Sequence, residues 1–503
     1  MATGHVFVTR GNITRLKVDA WVLPTDRDVR IEDGWFSAAF TRDRVANADR
    51  AGDLADLRAE REFAVALPIE PGVPTPVLTA VPYEGSAGFE GLRSRVLAGL
   101  GRAAEAAKAG GTRRPLIATP AFGVRGGGAN LQRGEVIAGI LAAAGEAAQS
   151  HEVDVVVCLQ RDVDHALAQK ARLAAWETAP PIPATQLETV RRLADLIADG
   201  TLVPFMGSGV SASAGLPTWL ELLDLLASDL PDRPDKEGWF KALSALDQAH
   251  VVRGDRGRTE FGEAVARHTT AARYGLAPML LAALPTREAV TLNYDQLYEF
   301  ASGDAGHATA VLPFEPLKGS QRWLLKMHGC VTRPESIVLT RADYIDFRSD
   351  GATSASLAKA ILMTKHLLFV GFGLADDHFH ELVHEVGKTW TGKGAFGTAL
   401  VLGDAPGHRA VWGDRITFES FTGSSLDEAA RDLEIFLDVL GAHATETDSF
   451  VLDERYDSQI DDRERAAKQR FVEFMRGHIA ELDGTVIGLG LLDLEQRLGG
   501  GDH

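Results

Sequence analysis

Short apolar runs alternating with amphipathic stretches constrain this chain more than any other feature. HVFVT at 5–9, VDAWVL at 18–23, VLTAV at 77–81, PLIAT at 115–119 and VDVVVCL at 153–159 are of strand length and rich in Val, Leu and Ile. Helical patterns at 91–109 and 134–149 separate the later ones. Such alternation lays helices on a sheet, so residues 1–178 are predicted to form an α/β layered domain. Pro180, Pro181 and Pro183 follow. Proline lacks an amide donor and fixes its own backbone, so 179–186 read as a linker.

The alternation then resumes. LETVRRLADLIADG at 187–200 carries apolar residues on one helical face and ends at Gly200. The helical run WLELLDLLASDL at 219–230 and strand runs AVTLNY at 289–294, WLLKMH at 323–328, HLLFVGF at 366–372 and TALVLG at 398–403 predict a second, mostly parallel sheet. Residues 446–503 are charged and helical in pattern. Standing outside both domains, such a tail needs something to pack on, and an oligomer contact is one answer.

The length of 503 residues predicts two or three domains. A formal net charge of −18 argues against a broad electropositive footprint, so direct nucleic-acid binding is not expected. No run approaches the roughly 20 apolar residues that span a bilayer. The opening MATGHVFVTRGN has no basic stretch followed by an apolar one, and the two cysteines, Cys158 and Cys330, cannot build a disulfide framework. The expectation is a cytoplasmic protein without a membrane partner.

Four segments at strand ends carry chemistry. Gly207-Ser208-Gly209-Val210-Ser211 follows a strand and precedes a helix, where glycines let backbone approach a phosphate and free amides bind it. The same composition also makes a plain turn. Thr291-Leu292-Asn293-Tyr294-Asp295 ends another strand, and ligands of open α/β sheets lie at such ends. A carboxamide there can orient a water or a ribose hydroxyl. For Asp295 alone, a helix N-cap is the simpler reading. Lys326-Met327-His328-Gly329 offers a base that titrates near neutrality. Val370-Gly371-Phe372-Gly373-Leu374-Ala375-Asp376-Asp377 leaves a further strand, with Asp376 or Asp377 able to cap the next helix.

In order and spacing, FMGSGVS, TLNYD, KMHG and VGFGLAD resemble the sirtuin superfamily, and more closely the sirtuin-like NADase domains of bacterial antiphage defence proteins. The resemblance covers residues 187–445 and implies a Rossmann-like parallel-sheet domain that takes NAD as its substrate. It implies that Gly207, Ser208, Gly209 and Ser211 cradle the pyrophosphate, and that Asn293 positions the attacking water or ribose. Asp295 would contact the nicotinamide or ribose, His328 would be the base, and Gly371, Gly373 and Asp376 would line the adenosine side. Protein-deacetylating sirtuins usually add a four-cysteine zinc module after the H-G motif; two cysteines cannot form it, so no metal is expected and water is the favoured acceptor.

Residues 6–26, VFVTRGNITRLKVDAWVLPTD, and 116–128, LIATPAFGVRGGG, resemble macro domains. That implies an α/β/α domain able to hold an ADP-ribose-like ligand through Gly123, Gly126, Gly127 and Gly128. Asn12 and Asp26 depart from the macro pattern, and catalytic removal of ADP-ribose is not expected. The leading function is a regulated NAD+ hydrolase of antiphage defence, acting as a homo-oligomer or with a defence partner. A deacylase or ADP-ribosyltransferase, and a non-catalytic nucleotide-binding scaffold, are the competing readings.

Overall fold

The computed structural model describes residues 4–81, 88–112, 114–123, 133–319, 321–389 and 394–500. The chain forms two units, Met1–Pro181 with Thr445–His503, and Ile182–Ala444. The expected α/β architecture is present in both.

The first unit holds six strands: β1 (Val6–Arg10), β2 (Ala20–Thr25), β3 (Ala64–Ala66), β4 (Thr75–Ala80), β5 (Leu116–Pro120) and β6 (Asp154–Leu159). They lie in the order β1-β6-β5-β2-β4-β3, parallel except where β3 runs against β4. Every residue of β4 and β6 is buried. This explains why β6 is apolar from Val155 to Leu159 and β4 carries nothing more polar than Thr75 and Thr79, since strands covered on both faces need no polar alternation. Helices Gly88–Ala109 and Arg133–His151 pack together, bringing Val96, Leu100 and Ala103 into one core with Ile137, Ile140 and Ala144.

Residues 445–503, expected as a separate tail, belong to this unit. Phe450, Tyr456 and Ile460 enter its core. Arg133 holds Asp164 through two bonds of 2.6 and 2.5 Å, and the Tyr456 hydroxyl donates to the same carboxylate at 2.6 Å. A buried charge pair is tolerable when its remaining lone pairs are satisfied in this way.

The second unit holds seven strands: β7 (Leu202–Met206), β8 (Glu288–Thr291), β9 (Thr309–Leu312), β10 (Arg322–Lys326), β11 (His366–Val370), β12 (Gly397–Leu402) and β13 (Ile416–Phe421). All are parallel, in the order β13-β12-β11-β7-β8-β10-β9. The chain enters at the central β7, adds β8 beside it, runs to the edge at β9 and returns to place β10 between β8 and β9, then crosses to β11 and builds the other way through β12 and β13. The order therefore reverses between β7 and β11, and the carboxyl ends of these strands form the crevice where open α/β sheets bind ligands.

Candidate active site at the strand-order reversal

The loops after β7 and β11 meet backbone to backbone. The amide of Gly207 donates to the Val370 carbonyl at 3.0 Å, and that of Gly209 to the Gly371 carbonyl at 2.9 Å. A Cβ on Gly207 would lie 2.5 Å from the Gly371 oxygen, and one on Gly371, whose φ is 60°, would lie 2.4 Å from the Val210 nitrogen. Any side chain would drive the loops apart. These glycines are thus explained by each other, and the two amides expected to face an anion are bonded within the protein. Gly373 differs: a Cβ there would meet nothing within 4 Å.

A cavity of about 400 Å³ opens at this point, lined by residues from all four motifs, among them Ser211, Asn293, Asp295, His328, Gly373 and Asp376. That volume falls in the range of about 300–1,000 Å³ usual for ligand pockets. One wall is apolar and includes Leu216, Trp219 and Leu222. The Trp219 indole N–H is buried with no hydrogen-bond partner among the described residues.

Asn293 is fixed by its surroundings. Its Nδ2 donates to the Gly207 carbonyl and to the Ser211 hydroxyl, both at 2.9 Å. A carbonyl can only accept, so the carboxamide orientation is determined and Oδ1 remains as an acceptor. Ser211 passes its own proton to Asp295 Oδ2 at 2.6 Å, while Asp295 Oδ1 accepts from the Leu297 amide at 3.0 Å. Asp295 therefore stands one position before Gln296, the N-cap of the helix Leu297–Asp304, bonds the first amide of that helix, and also anchors the Ser211–Asn293 chain.

His328 is 3% exposed. Its Nε2 lies 3.2 Å from His378 Nδ1 and 4.0 Å from an oxygen of Asp376. Burial pushes its pKa down from 6.5 to about 4; Asp376 opposes the shift and His378 adds to it. It is therefore a neutral base across the physiological range. Asp376 accepts from the Tyr344 hydroxyl at 2.6 Å and caps the helix Asp377–Thr389 through the Phe379 amide at 3.0 Å. Burial, then Asp376, raises the Tyr344 pKa, which keeps that hydroxyl a donor. His328, Asp376 and His378 also place one donor atom each within 4.8 Å of one another, close enough to share an ion.

The sequence reading passed over His378, Tyr344 and the role of Lys326. His378 stands two residues past Asp376, and that spacing at a helix start was the available signal. Lys326, 1% exposed, reaches under the Asn293 turn, donating to the carbonyls of Tyr294 and Asp295 and pairing with Glu299 at 2.7 Å. Opposite charge outweighs burial, and its pKa is raised. In the first unit, Asn12 Oδ1 caps the short turn Ile13–Arg15, and Asp26 accepts from the Arg30 amide. Gly123 has φ 70° just after β5. Gly126, Gly127 and Gly128 lie outside the described residues.

Residues 287–409 match a family model described as the SIR2-like domain. The chain is 26% identical over 210 residues to defense-associated sirtuin 2 of Bacillus subtilis, covering 40% of this chain and 21% of that protein. It is 27% identical over 203 residues to the NAD(+) hydrolase ThsA of Acinetobacter baumannii, covering 39% and 41%. With ThsA of Enterococcus faecium it shares 27% over 211 residues, covering 39% and 42%. The match thus spans well under half the length of each of these relatives.

Proposed function

With a SIR2-like domain in its second unit, we propose that this chain is an NAD+ hydrolase that releases nicotinamide and ADP-ribose. The observation that carries the reading is one cavity at the strand-order reversal that holds both an oriented carboxamide, Asn293, and a neutral buried base, His328. The ribose carbon–nitrogen bond breaks, nicotinamide leaves as a neutral base, and an oxocarbenium-like centre develops. Asn293 Oδ1 orients the water that adds to that carbon, and His328 takes the proton released. Because the leaving group needs no proton, positioning and one base suffice, without the second carboxyl that sugar hydrolases use. Gly207 to Ser211, Gly371, Gly373 and Asp376 form the nucleotide side of the site, with Asp295 holding the ribose side.

The names of the relatives, a defense-associated sirtuin and an NAD(+) hydrolase, support NAD cleavage in defence. The resemblance of the motifs to antiphage NADases extends this to NAD depletion during phage infection, with activity held in check until a ligand or partner triggers it. For the first unit, the resemblance of its sequence to macro domains supports binding of an ADP-ribose-like ligand beside Gly123.

The test is nicotinamide release by the full-length protein with and without an acyl-lysine peptide. Release that needs no peptide supports the hydrolase; release that depends on the peptide supports a deacylase or transferase. NAD binding without release, together with steady cellular NAD during infection, would leave a binding scaffold.

A further inference from the structure

His378 is the group nearest to His328 that the reaction above does not use. Its imidazole is held flat between two rings, Tyr344 at 4.0 Å and 14° and Phe347 at 4.5 Å and 29° between planes. Its Nε2 lies 3.0 Å from the Tyr344 carbonyl oxygen, and its Nδ1 lies 3.2 Å from His328 Nε2. A carbonyl oxygen only accepts, so His378 Nε2 must carry hydrogen. A neutral imidazole carries one N–H, which leaves His378 Nδ1 with a lone pair. The contact between the rings is then a hydrogen bond only if His328 Nε2 is the donor. In neutral His328 the lone pair is consequently at Nδ1.

We infer that His378 is the positioning residue for the base: it holds His328 in the Nε2–H tautomer, so that the proton abstracted in the reaction is accepted at Nδ1. The inference rests on His328 acting as the base and specifies which atom does so. When a ribose hydroxyl or water gives its proton to Nδ1, His328 becomes an imidazolium. Its Nε2–H stays on His378, and no proton leaves the pair. The charge so created faces Asp376, whose oxygen is 4.0 Å from Nε2. Asp376 itself is kept in place by the Tyr344 hydroxyl and the Phe379 amide, so it attracts the charge without displacing His378 from the hydrogen bond. Tyr294, also near this cluster, donates its hydroxyl to the Val338 carbonyl at 2.9 Å, and burial raises its pKa; Asp343, paired with Arg253 and Arg258, and Asp377 are the nearby carboxylates. The arrangement follows the general rule that one ring nitrogen's partner decides the chemistry of the other.

Two measurements test this, and the first needs no activity. In full-length protein labelled with ¹⁵N-histidine, two-bond nitrogen–proton spectra near pH 7.5 distinguish the tautomers, with His328→Asn and His378→Asn proteins giving the assignments. The expected result is the Nε2–H pattern for His328 in the parent protein, and a mixture of tautomers in His378→Phe. An Nδ1–H pattern for His328, a doubly protonated His378, or stoichiometric zinc bridging the rings would each overturn the inference. The second measurement is nicotinamide release. His378→Phe should lower kcat by about 10- to 100-fold, the usual effect of losing such a supporting partner, with KM little changed and the acidic limb of the pH profile moved. His378→Asn, whose carboxamide oxygen can accept where Nδ1 did, should recover part of the rate. Equal losses in both variants with an unmoved pH profile would mean a packing role only. Should the parent protein release no nicotinamide and cells keep their NAD during infection, the hydrolase reading fails while the spectra still decide the tautomer.

Discussion

At the scale of single residues, function depends on atoms whose roles are set by their neighbours' inability to do otherwise. The Gly207 carbonyl cannot donate, so Asn293 must present Nδ2 to it. On the proposed reaction, removing either group should be costly: Asn293→Ala and His328→Ala are each expected to lose about 10²- to 10⁴-fold in nicotinamide release, measured beside retained thermal stability. The pH behaviour follows from His328. Its folded pKa, about 4, is below the ordinary 6.5, so between these values the unfolded chain binds a proton that the folded protein refuses. Stability from this group is complete above pH 6.5 and is lost as pH falls toward 4, amounting to about 3 kcal/mol at most. Melting curves of the parent and of His328→Asn across that window check this; parallel curves would refute it. Asn293 and His328 were both legible in the sequence because each ends an apolar strand. His378, Tyr344 and Lys326 were not, since their significance lies in which carbonyls and rings they meet across the fold.

Among elements, the three strands that the sequence reading missed are all edges, whereas β1, an edge buried along four of its five residues, was named. β3, β9 and β13 each border a sheet. Along β13 only the two terminal residues are buried, and along β9 only Ala310 is. β3 and β9, three and four residues long, give only a brief strand signal, and β13, ITFESF, carries polar residues that break the apolar run marking β7 or β6. The loops joining elements obey a stricter constraint at the crevice. Gly371→Ala would need a positive φ and a backbone clash at once. It is expected to destabilise the second unit by at least about 1–3 kcal/mol and to abolish NAD cleavage, whereas Gly373→Ala, with open space around it, should preserve the fold and alter KM. Beneath the Asn293 turn, Lys326→Met would leave Glu299 buried without its partner. A loss of about 3–5 kcal/mol is expected in denaturant titrations, partly recovered by adding Glu299→Gln.

For the whole molecule, the sequence reading recovered two α/β units and singled out four motifs that line one cavity in the second, but set residues 446–503 apart. Local pattern reports that a segment is helical and charged; it does not report that Tyr456 will find Asp164, 292 positions earlier. Tyr456→Phe removes one bond to a buried carboxylate that keeps its arginine, and should cost about 1–3 kcal/mol. Deleting residues 445–503 takes Phe450, Tyr456 and Ile460 from the core of the first unit and should make that unit aggregate on expression. Among the described residues no helix is long and apolar enough to cross a membrane.

The return of the last segment to the first unit also fixes an order of events on the ribosome. Residues 182–444 emerge complete while the first unit still waits for its final stretch of chain. Synthesis thus delivers the crevice at the strand-order reversal before the unit that surrounds it in the gene is finished.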